Sequence, residues 1–368
     1  MDKVFVSGGS GFIAMYCIKI LLSKGYNVVT SVREKSQIDL AKKSFSKHNI
    51  SCDNLDFTIL DLLKDDGWDD ALKGCKYVLH TASPVIPGDV DEDILVKPAV
   101  EGMTRCLNAA IKNGVKKFVQ TSSYAAIYGN NKSEHSDDDW TDLSNKNLLA
   151  YEISKTKSEK KMWEIANSSD ISACSINPVL VLGPSLTGIL SMSNKLTIKK
   201  IFSLLFVPNM TISIVGVHDV ADAHVRAMES SKSNGKRFLL SEKTIKLVEL
   251  TKLLRGAGFV KVPTLVIPNF LLKFIALFTP SLRSIAKRLG TFEKLHTINA
   301  NKILDWYPKS VDIEIINSAK QLYETGVLKK YLSLYCVELV FIYKRFKTNE
   351  SFPFGELFLF CFTENVFV

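Results

Sequence analysis

From Lys3 to about residue 176, short apolar runs of strand length alternate with longer segments whose apolar positions recur at helical spacing. The runs are KVFVS, NVVTS, DFTIL, KYVLH, KFVQT and SACSI, separated by stretches such as FIAMYCIKILLSKG and LVKPAVEGMTRCLNAAIKNG. Strands that alternate with helices need crossover connections, so the pattern predicts the α/β class with a doubly wound parallel sheet covered by helices on both faces. After Pro178 the rhythm breaks into a Lys-rich piece at 196–206, VHDVADAHVRAMES, KRFLLS, an apolar helix near 270 and a last helix from about Val311 to Glu324. Such a tail packs over the carboxyl ends of the strands, where ligands bind. Residues 177–330 are therefore expected to form a smaller, mostly C-terminal α/β substrate-binding region, partly interleaved with the core made by residues 1–176. Residues 331–368 hold eight phenylalanines with neither period and read as an atypical extension.

The first strand runs straight into SGGSGFIA, which places Gly8, Gly9, Ser10 and Gly11 between a strand and a helix, with Phe12, Ile13 and Ala14 opening the helix. Glycines in this context make a tight turn, bare the backbone for a pyrophosphate and allow close helix–strand contact, while the helix N-terminus offers amide donors. The second strand is followed by Arg33, where a carboxylate would grip the ribose 2′-OH of NAD. A guanidinium fork suits a 2′-phosphate instead, so NADP(H) is favoured over NAD(H). After the third strand come Asp61 and Leu62, and the carboxylate there can accept from the adenine amino group.

The fifth strand ends in QTSSYAAIYG, and the chain then crosses to LLAYEISKTKSEKKMWEIA. A doubly wound sheet brings both into one crevice, where the nicotinamide would lie if its phosphates sit on Gly8 to Gly11. Either Ser122 or Ser123 could polarise a carbonyl oxygen there, and strand alternation points the two to opposite faces. Tyr151 and Lys155 stand one helical turn apart, so the ammonium is expected to draw the phenol pKa down.

These motifs, with HTAS, INPVLVLGP and HDVADAHVRAM, resemble the extended short-chain dehydrogenase/reductases across about residues 2–330. The closer resemblance is to the branch of dihydroflavonol reductases, cinnamoyl-CoA reductases and yeast or bacterial aldehyde/ketone reductases. It implies a Rossmann domain and a catalytic trio of Ser123, Tyr151 and Lys155, with Tyr151 as proton donor and Lys155 also on the ribose hydroxyls. It further implies cofactor contacts by Thr81, Ala82 and Ser83 and by Asn177, Pro178 and Val179, and a pocket wall that continues past Leu180. Tyr124, Tyr128 and Leu182 are candidate substrate contacts for a largely apolar or aromatic carbonyl compound. One departure is Arg105, which stands in the helix after PAVEG where relatives often carry Asn; the support of the active-site helix is then altered.

The implied activity is NADPH-dependent reduction of an aldehyde or ketone. An NAD-retaining nucleotide-sugar epimerase or dehydratase is the alternative, for which a carboxylate at position 33 would be expected. A non-catalytic nicotinamide sensor or scaffold would need only the phosphate end. His80 reads as a packed strand residue, and His218, Asp219, Asp222 and His224 as the start of a helix, so no metal site is expected.

Composition narrows the partners. The 368 residues are 46% hydrophobic and 23% charged with a net charge of +9, and the Lys and Arg are spread along the chain, which argues against nucleic acid. Seven scattered cysteines without CxxC pairs suggest a reducing compartment. MDKVFVSGG leaves no room for a secretory signal, and a cytoplasmic monomer or homodimer is expected. LVIPNFLLKFIALF, residues 265–278, is interrupted by Pro268, Asn269 and Lys273, so it is expected to be a buried or pocket-covering helix without stable membrane insertion.

Overall fold

A computed structural model describes residues 1–85, 91–130, 132–279 and 282–328, so the Phe-rich segment 331–368 lies outside the described residues. The six runs named above form β1 (Lys3–Ser7), β2 (Asn27–Val32), β3 (Leu55–Ile59), β4 (Tyr77–His80), β5 (Lys117–Thr121) and β6 (Ser172–Pro178). A seventh strand, β7 (Lys236–Leu240), completes one sheet of spatial order β7-β6-β5-β4-β1-β2-β3. All its pairings are parallel, with Val6 opposite Leu79 on one side of β1 and Thr30 on the other. Strand order reverses beside β1, which is where a doubly wound sheet opens its binding crevice.

The crossovers are α1 (Phe12–Ser23), α2 (Lys35–Lys47), α3 (Glu92–Lys112) and α4 (Ala150–Asn167). A further helix, α5 (Val217–Glu229), leads into β7. Both sheet faces are covered, because the strands are apolar on both sides: Val4 and Val6 join one core with α1 and α5, while Phe5 and Val78 join the other with α3 and α4. Cys17, Cys75, Cys106 and Cys174 are buried as small hydrophobes, and Cys52 is half-buried; all five are free.

The chain divides into two compact units. The first holds residues 1–193, 213–244 and 293–314, and the second 194–212, 245–292 and 315 onward. Strands β6 and β7 both belong to the first unit's sheet. In the second unit, α6 (Asn269–Phe278) buries Leu272 and Ala276 against Ile267, Leu282 and Leu289. Its Phe270, Phe274, Leu277 and Phe278 are exposed, so the expectation of a buried helix holds for one face only.

Under β5, β6 and β7 lies a buried ion pair. Glu159 of α4 receives the Arg237 guanidinium of β7 (Nε–Oε1 2.6 Å), the Ser122 hydroxyl (2.5 Å), the Asn177 amide (2.7 Å) and the Trp163 indole (3.3 Å). Burial pushes the Glu159 pKa up, but Arg237, Ser122 and Asn177 outweigh it and hold the carboxyl below the usual range. Arg237 also donates to the carbonyls of Asp137 (3.0 Å) and Asp139, and its guanidinium lies 3.7 Å over the Trp140 ring. Removing one partner of such a pair strands a charge without water. Arg237→Met is therefore expected to lower unfolding free energy by about 3–5 kcal/mol, measured by urea denaturation. Lys24→Ala, which breaks the surface pair with Glu229, should cost less than about 1 kcal/mol.

Candidate active site

The loop between β1 and α1 is closed by short backbone bonds: Gly9 N donates to Ser31 O (2.7 Å) and Gly11 N to Gly8 O (2.7 Å), and Ser31 Oγ accepts from Gly8 N (3.0 Å). Gly8 has φ +73°, which a side chain would strain. A Cβ on Gly9 would meet Thr30 Oγ1 at 2.1 Å, and one on Gly11 would meet the Gly8 carbonyl oxygen at 2.9 Å. No side chain caps α1, and its first turn has no acidic residue, so its amide end and positive dipole face outward unopposed. Such a bare cradle at a helix N-terminus fits a pyrophosphate. Ser10 and Gly11 are accessible there, while Phe12 and Ile13 pack partly into the core. Thr81 and Ala82 are drawn in beside the loop, as Thr81 Oγ1 donates to Ser7 O (2.6 Å) and Ala82 N to Ser7 Oγ (2.9 Å); Ser83 is half-buried just after.

Arg33 is exposed just past β2, with its backbone N–H held by Gln37 Oε1 (2.9 Å). Asp61 is half-buried and accepts from Leu63 N (2.9 Å). Arg105 clamps this same loop: it donates to Leu62 O (2.8 Å) and pairs with Asp65 and with Glu101 (3.1 Å). Gly102 leaves room for Leu62, which an added Cβ would meet at 2.5 Å. Arg105 therefore holds the Asp61–Leu62 loop.

At the ends of β5 and β6 the two serines part. Ser122 turns inward to Glu159, while the Ser123 hydroxyl accepts from Ala125 N (3.1 Å) and is near enough to the Tyr151 phenol to lower its pKa. Lys155 Nζ lies 5.9 Å from the centre of the Tyr151 ring. Ser123, Tyr151 and Lys155 are thus brought together. The electrostatics differ from expectation: burial raises the Tyr151 pKa, with Ser123 lowering it in part. Burial also lowers that of Lys155 to about 8, with the Glu159 carboxylate opposing the drop. Desolvation is the largest influence on both groups, Lys155 being buried and Tyr151 half-buried.

Asn177 turns its side chain into the core. Its side chain is fully buried, donating to Glu159 and to Ser123 O (3.2 Å), so it anchors the backbone that carries Ser123. Pro178 ends β6, and Val179 N donates to Leu240 O (3.0 Å). Tyr124 stacks on Tyr128 with ring centres 5.0 Å apart and donates to Glu293 (2.8 Å), forming an aromatic ledge next to Ser123 in sequence. Leu182 is fully buried.

His80 is buried, bonded to Ser7 Oγ (3.1 Å) and stacked on Phe118; burial, with Lys155, lowers its pKa to about 3. The acidic and histidine side chains of α5 go separate ways: His224 to Thr121 and the Val220 carbonyl, Asp222 to Arg226, His218 to the Tyr16 ring, and Asp219 to the Lys309 amide. Glu159 and Arg237 were not foreseen. One signal lay in the spacing Tyr151, Lys155, Glu159, which puts a carboxylate two turns along the same helical face.

The sequence is similar to reductases of several kinds. Cinnamoyl-CoA reductase CAD2 of Medicago truncatula is 32% identical over 267 residues, covering 69% of this chain and 80% of that protein. The putative NADPH-dependent methylglyoxal reductase GRP2 of Candida albicans is 34% identical over 279 residues, covering 68% and 82%. Among solved structures, yeast methylglyoxal/isovaleraldehyde reductase Gre2 complexed with NADPH superposes with a TM-score of 0.72 at 25% identity, over 88% of this chain and 99% of that one. The sequence profile of a single family spans residues 4–240, from β1 through β7 and so across every strand of the sheet, and the chain belongs to that family, the NAD dependent epimerase/dehydratase family.

Proposed function

We propose that this NAD(P)-dependent oxidoreductase uses NADPH to reduce an aldehyde or ketone, with Tyr151 as proton donor. The observation that carries the reading is the grouping of the Tyr151 phenol with the Ser123 hydroxyl, which lowers its pKa, and with the Lys155 ammonium 5.9 Å from its ring centre, at the strand ends of a sheet whose glycine loop fits a pyrophosphate. The relatives that act on cinnamoyl-CoA and methylglyoxal, and the NADPH held by Gre2, support the same reading.

The bound nicotinamide supplies the hydride. The chain does the rest. The Ser123 hydroxyl and the Tyr151 phenol donate to the substrate carbonyl oxygen and polarise it. As that oxygen becomes an alkoxide, Tyr151 gives up its proton. The raised pKa keeps the phenol protonated and able to donate throughout the neutral range. The Lys155 ammonium stabilises the phenolate left behind and carries the positive charge next to the ribose hydroxyls. Arg33, exposed at the end of β2, pairs with the 2′-phosphate, and Asp61 receives the adenine amino group. The Tyr124–Tyr128 ledge favours an apolar or aromatic carbonyl compound.

Tyr151→Phe should lower kcat by about 10²–10⁴-fold while NADPH affinity, followed by cofactor fluorescence, stays near the parent value. Substantial residual turnover would remove Tyr151 from its role. Arg33→Asp should shift the NADPH/NADH ratio of kcat/KM towards NADH by on the order of ten-fold to a hundred-fold, and an unchanged ratio would refute the phosphate contact.

The pH profile follows from Lys155. Its pKa is lowered, so the ammonium is present below about 8 and lost above it. The rate of carbonyl reduction should therefore fall as pH rises through about 8. A Lys155→Arg variant should lose that alkaline limb, and a parent profile flat through the same range would count against the ammonium.

A further inference from the structure

The second unit is far from neutral. Its described residues carry twelve Lys and Arg against two Glu, an excess that accounts for the whole chain's charge of +9. The stretch from Phe259 to Phe292 holds five of these cations, Lys261, Lys273, Arg283, Lys287 and Arg288, and no Asp or Glu. Basic residues are spread over both units; the second unit's excess comes from its shortage of acidic residues.

Within that stretch α6 is anchored by one face only. Leu272 and Ala276 are buried, and Arg283 reaches back to the carbonyls of Ala276 and Leu277 (both 3.4 Å), fixing the helix end. The opposite face carries Phe270, Phe274, Leu277 and Phe278, which fall on one stripe at i, i+4, i+7 and i+8. Phe270 is 76% exposed and Leu277 and Phe278 are each 66% exposed; the Phe274 and Phe278 rings meet edge to face at 5.4 Å. Four large apolar side chains on one exposed helical stripe are out of place in water. Lys273 borders the stripe from within the helix, and Arg283, Lys287 and Arg288 follow it.

We infer that α6 docks the protein onto an anionic phospholipid surface, its Phe/Leu stripe entering the headgroup boundary and the surrounding cations meeting lipid phosphates and carboxylates. Phenylalanine and leucine on one face with Lys and Arg around it are the two contributions that interfacial helices combine. Charge chooses the occupant: the flanking stretch lacks acidic groups, so it repels a second copy of itself and attracts a negative surface. The helix has ten residues, about half of what crossing a bilayer needs, and it lies along the surface without spanning it. Among the described residues no helix is long and apolar enough to cross.

The test is co-sedimentation of the full chain with vesicles of phosphatidylcholine alone and of phosphatidylcholine with about one-third phosphatidylserine. Binding is expected only to the anionic vesicles, and it should weaken when salt is raised to about 0.5 M. The pair Phe270→Gln and Phe274→Gln, both at exposed positions, should reduce the bound fraction by about ten-fold. Circular dichroism and NADPH binding should match the parent, showing an intact fold. Absence of binding to anionic vesicles would overturn the inference, as would binding that ignores the glutamine pair, since bulk charge would then suffice. A concentration-dependent dimer abolished by the same pair would also overturn it, placing a second copy on the stripe. So would a raised KM for the carbonyl substrate with vesicle binding unchanged, which would assign the stripe to the substrate.

Discussion

A carboxylate sealed from water under the last three strands is the constraint on which the site depends. Taking Glu159 and Arg237 out of solvent costs several kcal/mol per ion, and the cost is tolerable because nearly every lone pair and proton finds a partner. Those partners are not arbitrary. Ser122 and Asn177 come from the ends of two neighbouring strands, and once both are committed to Glu159, Ser123 has only the other face of the chain to occupy. Asn177 then ties down the carbonyl of Ser123 itself. The orientation of the hydroxyl at the phenol is thus a by-product of satisfying a buried charge.

The same carboxylate tempers the chemistry. Burial alone would strip the proton from Lys155 at a lower pH; the negative charge one turn further along α4 resists this and leaves the amine near neutrality. Tyr151, on the far side of Lys155, feels burial in the opposite sense and keeps its proton. A single helix therefore carries a weak acid held protonated, a cation held near its titration point and a carboxylate held ionised. Their differing environments keep three titratable groups on one face from collapsing into the same state.

Much of the fold could be read from the order of residues because parallel strands buried on both faces are continuous apolar runs, and KVFVS, NVVTS and KFVQT have no other plausible use. The glycine loop was equally plain, since steric demand permits few residues at Gly8 and Gly9. Arg237 was not legible: it is 78 positions from Glu159 and meets it only through sheet order. The bond from Asn177 to Glu159 was not legible either, because a polar residue at a strand end looks the same whether its side chain faces ligand or core. The apolar stretch at 265–278 reads as a buried or pocket-covering helix, yet its two faces have opposite fates, and nothing in a helix of Phe and Leu says which face the rest of the chain will cover.

Arg105 couples places that a list of contacts would keep apart. It pins the loop bearing Asp61 and Leu62 to α3, and α3 is in turn fastened to α4 by the Ser158 hydroxyl on the Ala99 carbonyl (3.0 Å) and by Lys157 on Glu92 (2.5 Å). The loop after β3 and the helix carrying Tyr151 are therefore parts of one braced frame. The span from the third strand's tip to the phenol therefore runs through two helices that hold each other by side-chain contacts.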